Sequence, residues 1–133
     1  MKKILFIILV ICHTYLNANL INLTPSLLET KIDNNIKVID IRTPREWATT
    51  GIIKNSHKIM FFSPDGKYDI QKWLDKLSMV IKDKDEPFVL VCAHGNRTTK
   101  VGTFLSEQLK FKNVFHLEHG IVSWIKENRK LVK

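Results

Sequence analysis

Phe88-Val89-Leu90-Val91-Cys92-Ala93-His94-Gly95-Asn96-Arg97-Thr98 is the stretch on which both the fold and the chemistry of this chain turn. Four consecutive apolar residues after Pro87 mark a strand buried on both faces, as in the interior of a parallel sheet. Cys92 stands where that strand ends, and parallel sheets place their chemistry at the carboxyl ends of their strands. A helix-compatible run, Thr98 to Leu109, follows. Its first turn supplies N–H groups without intrahelical partners and the positive end of a dipole. Successive N–H groups turned inward in the intervening loop make an anion nest. A thiol beside that nest and Arg97 ionises more easily than a free one, whose pKa is ~8.5. Alternatively, Cys92 is a small buried hydrophobe, but a core cysteine has no use for a polar loop holding Gly95 and Arg97. The spacing points to a nucleophilic cysteine acting on an anion. That role requires the side chain to be reachable from solvent and the loop amides to face it.

Outward from this centre, strands and helices alternate. Ile70, Trp73, Leu74, Leu77, Val80 and Ile81 repeat at helical spacing, and the charged link Asp83 to Pro87 joins that helix to the central strand. Ser63-Pro64-Asp65-Gly66 is a turn cluster. Ile36 to Ile41 reads as a buried strand that delivers Asp40 and Arg42 at its end. Beside a cysteine loop such a pair holds the site together by charge-assisted hydrogen bonds, a scaffold role; on the surface it would be worth little. Thr43-Pro44-Arg45-Glu46-Trp47 opens a short helix with Trp47 turned into the core. Thr24-Pro25 is a helix start, with Leu27, Leu28 and Ile32 on one face and Asn34-Asn35 at the end. Leu20 to Leu23 is a short edge strand and His57 to Met60 another short strand, with His57 an exposed or packing residue. After the cysteine loop the helix buries Val101, Phe104, Leu105 and Leu109, and Gly102 reflects close packing on the sheet. Val114 to Leu117 is the last strand, and Ile121, Val122, Trp124 and Ile125 belong to a final helix. The class is α/β: a five-stranded, mostly parallel sheet with helices on both faces.

Cys92-x-x-Gly95-x-Arg97-Thr98 resembles the active-site loop of the rhodanese (sulfurtransferase) family, Cys-x-x-Gly-x-Arg followed by Ser or Thr. Asp40-x-Arg42 is similar to the family's Asp-x-Arg motif. Gly51 to Ser56 resembles its Gly-His-Ile-x-Gly-Ala, with Ile52 for His and Asn55 for the second Gly; Asn tolerates the left-handed backbone such a turn needs. Lys110-Phe111-Lys112-Asn113-Val114 through Ile121, then Trp124, resembles the family's Gly-Phe-x-Asn-Val-x-x-Leu-x-Gly-Gly-Ile-x-x-Trp ending, with His119 for the first Gly of the pair and therefore a surface or pocket-edge residue. The resemblance runs from Leu20 to Ile125. It implies that Cys92 takes the outer sulfur of a small anionic donor such as thiosulfate as a persulfide, and that cyanide or a thiol acceptor, or an acceptor protein, collects it. Ala93, His94, Gly95, Asn96, Arg97 and Thr98 would then contact substrate, with Asp40 and Arg42 as scaffold, no cofactor and no metal. An ionised cysteine needs no general base.

Two other classes stay open: a non-enzymatic persulfide carrier for one partner, and a cysteine phosphatase. Phosphatase loops carry five residues between Cys and Arg, whereas only the four residues Ala93 to Asn96 separate Cys92 from Arg97. A metal site from Cys92, His94 and His57 or His119 lacks the paired ligand spacing of zinc sites.

The 133 residues suffice for one domain. Met1 to Ala18, with Lys2, Lys3, an apolar run from Ile4 to Cys12 and a small residue at Ala18, reads as a secretory signal, leaving a single domain over 19–133. The run falls short of the ~20 apolar residues of a spanning helix, so no permanent membrane span is expected after cleavage. Ile11 stands where a lipoprotein signal would need a small residue before Cys12. The expected location is exported, periplasmic, with Cys92 as the mature chain's one cysteine and no internal disulfide. Without Lys2 and Lys3, 19 of the 21 basic residues remain against 13 acidic ones, a net +6. These charges are dispersed and alternate in sign at Lys82-Asp83-Lys84-Asp85, which argues against a nucleic-acid groove and for attraction of small anions.

Overall fold

The structure, a computed structural model, describes residues 19–133; the signal sequence expected over Met1–Ala18, with Cys12, lies outside the described residues. In chain order the elements are β1 (Ile21–Leu23), α1 (Pro25–Asp33), β2 (Lys37–Asp40), α2 (Pro44–Thr50), β3 (His57–Lys58), α3 (Ile70–Val80), β4 (Phe88–Val91), α4 (Asn96–Thr103), β5 (Val114–Leu117) and α5 (Gly120–Lys126). A π-helical turn, Phe104–Gln108, continues α4. The five strands form one sheet in the order β1-β5-β4-β2-β3, every pair parallel.

β4 is central and all four of its residues are buried, as its unbroken apolar run requires. Strand alternation divides its side chains between two cores. Phe88 and Leu90 pack with Ile39, Trp73, Leu77, Val101 and Leu105 on the side of α3 and α4. Val89 and Val91 pack with Val38, Leu28, Leu117, Ile121 and Trp124 on the side of α1 and α5. Helix starts follow local chemistry. Thr24 caps α1 with Pro25 in the first turn, Asp69 caps α3, and Thr43 with Glu46 forms a reciprocal capping box on α2. Asn55, at φ +65°, does adopt the left-handed backbone.

Several local expectations are corrected. Leu27 is 52% exposed, and the buried residues of α1 are Pro25 and Leu28. Trp47 is half-buried, because α2 lies at the sheet's margin with no fully buried residue; Lys58 Nζ stands 5.9 Å from its ring centre. The helix after the loop begins at Asn96, not Thr98, and widens into the π turn, leaving Phe104 and Leu109 half-buried. A Cβ on Gly102 would lie 2.4 Å from Leu20 Cδ1, so the close neighbour is the segment before β1 rather than the sheet itself. The chain's end returns to pair antiparallel with Ile52, through Ile52 N–H to Val132 O at 2.8 Å and Val132 N–H to Ile52 O at 2.9 Å. No helix among the described residues is long and apolar enough to cross a membrane.

Candidate active site

Cys92 lies one residue beyond β4, at the carboxyl end of the sheet's middle strand. The chain then turns sharply through Ala93 and His94 into Gly95, which takes φ +95° and leads into α4. Two glycines allow this tight path. A Cβ on Gly95 would fall 1.8 Å from Glu118 O, and one on Gly120 (φ +65°) 2.2 Å from Ala93 O. The start of α5 holds the loop from the other side: Ile121 N–H donates to Cys92 O at 2.8 Å and Val122 N–H to Ala93 O at 3.2 Å.

Gly95 N–H points at Cys92 Sγ, 3.1 Å away, and Thr98 Oγ1 lies 3.4 Å from the same sulfur. A backbone amide does face the thiol, but the sulfur has one such donor and one hydroxyl, not a ring of amides. Cys92 is 1% exposed, so the expected open access to solvent is not met in this conformation. The cause is the tight seating of its loop on Glu118–Gly120. Of the residues expected to meet substrate, Gly95 and Thr98 are buried against the sulfur, Ala93 is half-buried, and His94 and Asn96 face solvent.

Arg97 is committed elsewhere. Its Nη1 and Nη2 donate to Glu46 Oε2 at 2.9 Å and Oε1 at 2.5 Å, a two-pronged ion pair between α4 and α2. These hydrogen bonds, helped by Thr43 and opposed by partial burial, hold the Glu46 carboxyl down to about 2, and the same pair raises Arg97. Asp40 and Arg42 are each 1% exposed and doubly joined, Arg42 Nε to Oδ1 at 3.0 Å and Nη2 to Oδ2 at 2.8 Å. Arg42 also donates to Thr50 Oγ1 and Gly51 O, both at 2.8 Å, while Ile41 N–H donates to Val91 O at 3.0 Å. The pair therefore ties α2 to the strand end beside Cys92.

Glu46, His116 and Asn22 are the site residues that sequence reasoning missed. His116 sits on β5 opposite Leu90 of β4, and its Nδ1 is 2.9 Å from Thr98 Oγ1. A lone histidine inside the apolar run Val114-Phe115-His116-Leu117 was the signal available. His57 and His119 are exposed, and no three metal-binding side chains converge among the described residues.

The family model for the Rhodanese-like domain matches residues 24–127. Thiosulfate sulfurtransferase GlpE of Pseudomonas paraeruginosa is 30% identical over 92 residues, covering 69% of this chain and 72% of that protein. A tRNA uridine(34) hydroxylase of Pelagibacter ubique is 33% identical over 100 residues, 74% of this chain but 29% of that protein, so this chain spans under a third of that relative's length. Among solved structures, a rhodanese-related protein of Thermoplasma volcanium has a TM-score of 0.64 at 30% identity, covering 84% of this chain and 97% of its own. The polysulfide-sulfur transferase homodimer of Wolinella succinogenes shares the fold, with a TM-score of 0.66 at 23% identity over 87% of this chain and 80% of its own. With a single parallel sheet of the same architecture and a Cys-x-x-Gly-x-Arg loop at its carboxyl edge, this chain belongs to the rhodanese-like domain family.

Proposed function

We propose that this protein is a sulfurtransferase that carries a sulfane sulfur on Cys92. The supporting observation is the thiol at the carboxyl end of β4 with Gly95 N–H directed at its sulfur. The Cys92 thiolate attacks the outer sulfur of thiosulfate, the sulfur–sulfur bond breaks, and sulfite leaves with the electron pair. The Gly95 amide and the Thr98 hydroxyl stabilise the thiolate and then the persulfide. Cyanide or a cellular thiolate next attacks the terminal sulfur and releases the Cys92 thiolate. Because Sγ is covered, turnover requires Ala93–Asn96 to move aside, and Arg97 to exchange Glu46 for the donor's anionic end. The signal-like run Met1–Ala18 supports an exported, periplasmic setting, where a small anion is drawn to a net positive chain.

The closed thiol and the Glu46–Arg97 pair favour a second reading, in which a docking partner opens the loop and receives the sulfur directly. Thiocyanate formation by the purified full chain from thiosulfate and cyanide separates the two. Saturable turnover, lost in Cys92→Ser, supports the enzyme. A stable persulfide without turnover supports the relay, and phosphate release from an aryl phosphate would replace both with a phosphatase.

A further inference from the structure

His116 is 2% exposed and has no part in the scheme above. It is the middle of a continuous chain of polar contacts. Cys92 Sγ lies 3.4 Å from Thr98 Oγ1, Thr98 Oγ1 2.9 Å from His116 Nδ1, and His116 Nε2 2.7 Å from Asn22 Oδ1. Asn22 Nδ2 then donates to Glu118 Oε1 at 3.3 Å.

The chemistry of the ends gives this chain one direction. A carboxylate only accepts, so Asn22 turns its NH2 to Glu118 and its carbonyl oxygen to His116. That oxygen also only accepts, so His116 carries a proton on Nε2. Burial pushes the His116 pKa down, with the Glu118 carboxylate opposing and His119 reinforcing; in the neutral ring with its proton on Nε2, Nδ1 is an acceptor. Besides His116 Nδ1, the Thr98 hydroxyl has Gly95 O at 3.0 Å and the Cys92 sulfur at 3.4 Å, the latter a donor when Cys92 is the thiol. Gly95 O already takes Thr99 N–H at 2.9 Å and Thr99 Oγ1–H at 2.8 Å. The Thr98 proton therefore points to His116, and the lone pairs of Thr98 Oγ1 are left to the Cys92 thiol.

From this geometry we infer that His116 is a positioning residue that sets the protonation state of Cys92 through the Thr98 hydroxyl. The Cys92 proton passes to Thr98 Oγ1 as the Thr98 hydroxyl proton passes to His116 Nδ1. The sulfur keeps the electron pair, and a thiolate–imidazolium pair results without any added reagent. A net-neutral pair is less costly to bury than a lone thiolate. On the far side Glu118 favours the imidazolium and offsets part of the cost of burial. Asn22, His116 and Glu118 line a polar cleft of about 370 Å³ that Glu107 of the π turn also borders; Glu118 is the carboxylate that acts on the ring, and His119 is the opposing group. The purpose of this relay rests on the sulfur-transfer reading, but the proton transfer itself needs no sulfur donor.

The test is a pH titration by NMR of the full chain labelled with [13Cβ]Cys and [15N]His, Cys92→Ser identifying the Cys92 signal. In the native protein His116 is the Nε2–H tautomer when neutral, and its nitrogens and the Cys92 Cβ shift at a common pH. In His116→Gln the Cys92 midpoint rises by about one pH unit, a tenfold loss of thiolate. Thr98→Val does the same, and Thr98→Ser restores the native midpoint. An Nδ1–H tautomer, or an unmoved Cys92 midpoint in a folded His116→Gln, overturns the inference. Should that variant fail to fold, the native tautomer and the shared midpoint decide. Failure of sulfur transfer would show in thiocyanate formation and leave these midpoints unchanged.

Discussion

Glu46→Gln separates what Arg97 does for the fold from what it does for an anionic donor. The native carboxylate accepts from Arg97 Nη1 and Nη2, from Thr43 N–H at 2.9 Å and from Thr43 Oγ1 at 3.0 Å. A glutamine oxygen in the place of Oε2 still accepts from Thr43 N–H and Arg97 Nη1, but without charge, and its NH2 replaces the oxygen that met Arg97 Nη2. Losing a half-exposed ion pair costs about 0.5–1 kcal/mol, and weakening the capping box costs about 1 kcal/mol. For a domain of this size the sum lowers Tm by roughly 6 °C. The freed guanidinium is then available to a dianion, and the KM for thiosulfate falls about threefold, roughly 0.7 kcal/mol. Scanning fluorimetry reads the first effect and thiocyanate formation the second. A lower Tm with an unchanged or higher KM would refute the exchange of Glu46 for substrate and leave Arg97 a purely structural residue. Acid gives an independent check. The Glu46 carboxyl is held at about 2, below its usual 4.5, so its contribution is complete above pH 4.5 and is lost as pH falls toward 2. Native protein should lose about 1 kcal/mol more over that interval than Glu46→Gln.

Asp40→Asn leaves the buried Arg42 charge without its counter-ion and should cost about 3–5 kcal/mol in urea unfolding; a loss under about 1 kcal/mol would remove the pair from the scaffold. Gly120→Ala must adopt φ +65° with a methyl 2.2 Å from Ala93 O, so it strains α5 and pushes the cysteine loop off its seat. About 3 kcal/mol of stability should be lost, and Cys92 should react faster with iodoacetamide; unchanged stability and reactivity would mean the loop is not clamped there.

The frame of the molecule was legible in local signals. An unbroken apolar run gave the central strand, Thr-Pro pairs gave two helix starts, and Asn55 took the left-handed turn. Asp40 and Arg42, two residues apart, could be paired because one strand end carries both. The misses have a common origin. Periodicity tells which residues share a face but not which neighbour that face meets, so Leu27 and Trp47 were assigned to a core that passes them by. Contacts made across elements were invisible: Arg97 with Glu46, Val132 with Ile52, and His116 with Thr98, which meet only because β5 lies beside β4 in a particular register. The closure of Cys92 is of the same kind, since it depends on how the loop seats on Glu118–Gly120 rather than on the loop's own residues.

Intact mass of the reduced full chain, before and after incubation with thiosulfate, is the most direct trial of Cys92 as a sulfur carrier. Sulfur transfer predicts a gain of one sulfur atom that cyanide removes and that Cys92→Ser never acquires. A native chain that gains nothing, or a gain that persists in Cys92→Ser, contradicts it.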